Sequence, residues 1–141
     1  MEQFTIQKND FLSHDCTGYF HLYYVGYGQP GNPDYLNTLK NIFVSTHPDT
    51  LRAASRQAAS LMIQDIPQVM DAEGLDTAIL MAVPRSKSGM CNWQLGFKAA
   101  VRTTVKALQA DGLSVIDGTD FIFRHTSTKM THLRKPVSNF E

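Results

Sequence analysis

Apolar positions along the chain follow two periods. Short runs rich in aromatic and β-branched residues predict strands at 4–6, at 19–28 ("YFHLYYVGYG"), at 79–83 ("ILMAV"), within 111–117 ("DGLSVID") and at 120–125 ("DFIFRH"). Between them, apolar residues recur at helical spacing. The first such stripe is Leu36, Leu39, Ile42 and Phe43; the second is Leu51, Ala54, Ala58, Leu61 and Met62; the third is Trp93, Phe97, Val101, Val105 and Leu108. Pro48 suits a first helical position with Asp49 in the first turn, and Pro67 is expected to bend or end that second helix. Because the run 79–83 is apolar at every position, it is expected to be covered on both faces. Helices alternating with short strands from about residue 48 predict an α/β fold. The expected architecture is one domain over 1–141, a mostly parallel sheet flanked by helices, complete or as the front part of a longer domain.

The end of the run 79–83 changes the picture from fold to chemistry. Pro84 cannot extend a ladder inside a sheet, and Arg85, Ser86, Lys87, Ser88 and Gly89 follow it at once. A strand, a polar loop containing glycine and then a helix is a common way to hold an anion, with backbone amides and cations facing phosphate oxygens. In parallel sheets, ligands sit at the carboxyl ends of strands, where this loop falls.

Charge supports the same end of the chain. The net charge is zero, but nine acidic residues accompany four Lys or Arg up to Pro84, whereas nine Lys or Arg accompany four acidic residues from Arg85 onward. An anionic ligand is therefore expected on the later part. Lys98, Arg102 and Lys106 repeat every fourth residue, which suits a solvated helix face and, as a second reading, a nucleic acid backbone. Cys16 and Cys91 belong to no C-x-x-C pair, and His14, Asp15, Cys16 and His21 match no metal-ligand spacing, so no metal is expected there. Without a basic start and apolar core at the N-terminus, and without a long apolar stretch, a cytoplasmic protein with no membrane partner is expected.

From Thr77 onward the sequence resembles the type I phosphoribosyltransferases, a class of glycosyltransferase, and most closely their competence-associated, amidophosphoribosyltransferase-like branch. The matching positions are Val83 and Pro84, the loop 85–89, the helix from Trp93, and then Arg124, Thr128, Leu133, Arg134, Asn139 and Phe140. The resemblance implies a phosphoribosyltransferase-like fold and a pyrophosphate loop at Arg85, Ser86, Lys87, Ser88 and Gly89. It makes Arg124 and Arg134 further candidates for the anionic ligand, to which the basic tail adds Lys129, and Mg with phosphoribosyl pyrophosphate the implied cofactor and substrate. The family's acidic pair followed by Thr-Thr-Gly, which holds the ribose 5-phosphate, is missing, since "VIDGTDF" places Asp117, Gly118, Thr119 and Asp120 differently. No catalytic residue is assigned, and transfer at the ribose C1 is not expected of this chain alone. The alternative is a noncatalytic component of a larger complex, for example in bacterial antiviral defence. Such a component keeps the fold for a protein partner, for self-association or for nucleic acid.

Overall fold

A computed structural model of the chain describes residues 1–23, 25, 30–40, 47–83 and 92–122, with side chains from 96 onward in the last segment. Its elements are β1 (Glu2–Ile6), β2 (Cys16–Phe20), α1 (Asp34–Lys40), α2 (Pro48–Ala72), β3 (Ala78–Leu80), α3 (Asn92–Ala110) and β4 (Val115–Asp117). The fold is mixed α/β. Strands β3 and β4 pair in parallel, in the register Ala78 with Val115 and Leu80 with Asp117, while β1 and β2 form a separate antiparallel hairpin. Parallel order therefore holds for one pair rather than for a sheet through most of the described chain.

The core lies between α2, α3 and one face of the parallel pair. Met70, Val101, Val105, Leu108 and Val115 are buried together, with Ile66, Leu80 and Ala82 packed against them. Helices α2 and α3 approach through small residues, since Ala54, Ser55, Ala59 and Ala100 are all buried. Two hydroxyls bridge the helices there. Ser55 Oγ donates to the carbonyl of Gly96 at 3.0 Å, and Thr104 Oγ1 to that of Ala59 at 3.5 Å. Each also bonds its own helix four residues back, so neither is left without a partner in the interior.

Helix ends follow local chemistry. His47 Nδ1 accepts from the Asp49 amide at 3.2 Å and Pro48 occupies the first turn. At the other end Gly74 takes φ 63°, while the Leu75 amide donates to Met70 at 2.8 Å and the Glu73 amide to Val69 at 3.0 Å. Gly112, at φ 86°, ends α3 in the same way and turns the chain into β4. Helix α2 does not stop at Pro67. The lost amide costs one hydrogen bond to Ile63, and buried Met70 one turn later keeps the helix docked through to Ala72.

Three strand expectations need correction. Of the strand expected at 19–28, residues 24 and 26–28 lie outside the described residues; the described strand starts at Cys16 and ends at Phe20, and its register on β1 sets Gly18 against Phe4. A Cβ at Gly18 would lie 2.5 Å from the Phe4 ring, so glycine leaves room for that ring across the pair. The run 79–83 is not covered on both faces. Only 78–80 is strand, and Ile79, Met81 and Val83 are 48%, 44% and 90% exposed while Leu80 and Ala82 face the core. Alternation, invisible in a uniformly apolar run, still governs which side chains are inside. Of the strand expected at 120–125, residues 123–125 lie outside the described residues, and 120–122 are not strand: a turn there is closed by the Phe121 amide on the Gly118 carbonyl at 2.9 Å.

Candidate functional site

The parallel pair puts the carboxyl ends of β3 and β4 side by side. The Gly118 amide donates to the Leu80 carbonyl at 2.9 Å, continuing the ladder by one bond past β4. The approach is close there: a Cβ at Gly118 would lie 2.6 Å from Met81 Cγ and 2.7 Å from Ile79 Cγ2, so a larger residue needs those side chains to shift. Three residues after β3, at Val83, the described backbone ends, and it resumes with α3 at Asn92. The expected ligand residues Arg85, Ser86, Lys87, Ser88, Gly89, Arg124, Lys129 and Arg134 all lie outside the described residues, as does Cys91.

What the described residues bring together at these strand ends is a polar cluster that the sequence reading divided differently. Asp117 Oδ1 accepts the Thr119 amide at 2.9 Å, the self-bonded turn that aspartate favours. Arg102 from α3 donates through Nε to Thr119 Oγ1 at 3.1 Å and through Nη2 to Asp120 at 3.0 Å, and its Nε lies 3.5 Å from Asp117 Oδ2. Lys98 Nζ donates to the other oxygen of Asp120 at 2.7 Å. Lys98 is 8% exposed and Thr119 is buried. The cations expected on a solvated or phosphate-tracking face are thus, for Lys98 and Arg102, committed to the turn after β4. Lys106 remains exposed.

Electrostatics follow from those contacts. The Asp117 carboxyl is held below its usual range, first by the Thr119 hydroxyl and amide and then by Arg102; Asp120 is held down chiefly by Lys98 and then by Arg102. Two carboxylates and two cations balance. Every oxygen of Asp117 and Asp120 already faces a hydrogen-bond donor or a cation, so these residues do not fit a magnesium ion. Among the described residues no group of three or more His, Cys, Asp or Glu side chains converges to hold a metal. In particular, Asp15 Oδ1 accepts the Lys8 amide at 2.7 Å and His21 turns away to Asp65.

A second feature opens from the same strand. A cavity of about 640 Å³ lies among α1, α2, α3 and residues 81–83, with Leu39, Leu61, Met62, Phe97 and Val101 in its walls. Its polar lining is His21, Tyr35, Lys40 and Asp65, and His21 Nδ1 donates to Asp65 Oδ2 at 2.9 Å. Burial raises the Tyr35 phenol, which keeps it a hydroxyl donor. Sequence periodicity marks the wall residues as helix faces but offers no signal that the pair His21 and Asp65, far apart in the chain, would meet.

Among the described residues no helix is long and apolar enough to cross a membrane. No family model matches the chain, and no curated protein or solved structure matches it either.

Proposed function

We propose that this chain binds a phosphate- or diphosphate-bearing small molecule at the carboxyl end of β3, as a phosphoribosyltransferase-like protein. The observation that supports this reading most is the parallel pairing of β3 with β4 across α3. That order makes 84–91 the link from a strand's carboxyl end to a helix start, the place where such folds hold anions. Arg85 and Lys87 supply charge, and Ser86, Ser88 and Gly89 supply hydroxyls and an approachable backbone. Arg124, Lys129 and Arg134 are further ligand candidates. Asp117 and Asp120 are neutralised by their own cations, so magnesium enters this reading only as the counterion of the ligand's diphosphate. Transfer of ribose phosphate is not part of the proposal for this chain alone.

Calorimetric titration with pyrophosphate and with phosphoribosyl pyrophosphate, each with and without magnesium, tests the reading. Saturable binding of both is expected. No heat of binding at millimolar ligand would overturn it.

A second reading has its own support. Ile79 on β3 and Ile116 on β4 are exposed, and so is Phe121 in the turn that follows β4. An apolar surface of this kind suits a protein partner, as in a noncatalytic component of a larger complex such as an antiviral defence assembly.

A further inference from the structure

The cavity among α1, α2 and α3 belongs neither to the strand-end loop nor to the cluster of Arg102, Asp117 and Asp120. Its volume, about 640 Å³, lies within the roughly 300–1,000 Å³ usual for small-molecule sites. Leu39, Leu61, Met62 and Val101 stand in walls that are mostly aliphatic, which suit a hydrocarbon through many weak dispersion contacts. A charged head group is disfavoured here. Burying one among such walls is costly, and an anion would also meet the Asp65 carboxylate. Lys40, in the same lining, already has an interaction of its own.

The rest of the polar lining calls for a neutral donor. An ionised Asp65 only accepts, so the imidazole proton sits on His21 Nδ1, 2.9 Å from Asp65 Oδ2. In that neutral ring Nε2 carries a lone pair, and it has no partner among the described residues. The half-buried Tyr35 hydroxyl has none there either, and burial keeps it protonated, able to donate or to accept. A hydroxyl on the ligand serves both, whereas a carbonyl or an ether cannot donate to Nε2. The side chains of His21 and Asp65 are 40% and 19% exposed, so the head-group end lies where the cavity meets solvent.

We infer that this cavity binds a neutral aliphatic alcohol of medium length, its chain against Leu39, Leu61, Met62 and Val101 and its hydroxyl donating to His21 Nε2. Tyr35 is the second contact of that hydroxyl. The site uses none of the ligand residues of the phosphate reading and gives the chain a second ligand class.

Calorimetry with octanol, methyl octyl ether and octanoate tests this on the wild-type protein. Octanol should bind saturably, the ether about fivefold or more weakly because it cannot donate to Nε2, and octanoate more weakly than octanol. His21→Phe removes the acceptor and should bring octanol and the ether to the same affinity. Ala58→Leu, at a half-buried wall position, fills part of the cavity and should weaken octanol about tenfold or more. No octanol binding by folded wild type, equal affinity for octanol and its ether, or tighter binding of octanoate would overturn the inference. So would an octanol affinity that both folded variants leave unchanged. The wild-type comparison decides even where a variant fails to fold. Pyrophosphate failing to bind while octanol behaves as described would sink the loop reading and leave this one standing.

Discussion

Lys98 Nζ sits 2.7 Å from Oδ1 of Asp120, although the Lys98 side chain is 10% exposed and that of Asp120 is 68% exposed. The pair joins α3 to the turn after β4, and its inner member depends on its outer one. Removing the carboxylate leaves an ammonium near the interior without a counter-charge, which is the costly way to break such a pair. Asp120→Ala should therefore lower the melting temperature, and adding Lys98→Met should restore most of the loss. Simple additivity of the two substitutions in thermal unfolding would show that the pair is not coupled.

Acid sensitivity follows from the same turn. Asp117 and Asp120 both have carboxyls held below the ordinary value of 3.8, so they bind protons less readily folded than unfolded. Their contribution to stability is complete above that value and is lost as the pH falls through their lower folded values. Chemical denaturation from pH 6 down to pH 2 should show stability dropping below about pH 4, with a smaller drop in the double variant Asp117→Asn, Asp120→Asn. Both carboxylates are partly or well exposed, so added salt should reduce the difference.

Nucleic acid binding by the α3 face is not expected. Lys98 and Arg102 already face Asp117 and Asp120, which leaves Lys106, also exposed, as the cation of that spacing outside this cluster. Each phosphate neutralised on a single strand would contribute about −0.7 to the slope of log affinity against log salt. Arg102→Ala should leave that slope unchanged in a single-strand titration. A slope made shallower by about 0.7 in the variant would place Arg102 on the strand.

Two packing changes differ in cause. Leu108 is 1% exposed in the core cluster, and Leu108→Ala should cost about 2–5 kcal/mol through lost burial and the space left behind. Gly118→Ala adds one carbon against Met81, Ile79 and the Leu80 carbonyl, and should cost about 1–3 kcal/mol by overpacking. Urea unfolding measures both. Gly118→Ala at wild-type stability would mean that Met81 moves aside freely.

The helices were legible because their spacing carries the information. Val101, Val105 and Leu108 repeat on one face of α3, and all three are buried. The run 79–83 misled because every residue in it is apolar, so the pattern could not say that Ile79 and Val83 face outward. Pro67 signalled a bend or an end, and α2 does not end there, since buried Met70 one turn later keeps it docked. Lys98 and Arg102 looked like a free basic stripe, since their partner Asp120 is 22 and 18 residues away in sequence and is brought in by a turn. Asp117 with Thr119 two residues later is the local signal that could have located that turn. The loop residues 84–91, on which the anion reading rests, were legible only as composition after a strand.

That reading is tested most directly by titrating pyrophosphate into wild-type protein and into the double variant Arg85→Ala, Lys87→Ala. Each charge-assisted contact contributes about 1.5–3 kcal/mol, so loss of Arg85 alone weakens binding about tenfold to a hundredfold. The account predicts saturable binding by the wild type and at least a tenfold weaker, or undetectable, affinity in the folded double variant. Equal affinity in the two proteins would contradict it and remove the loop from the site.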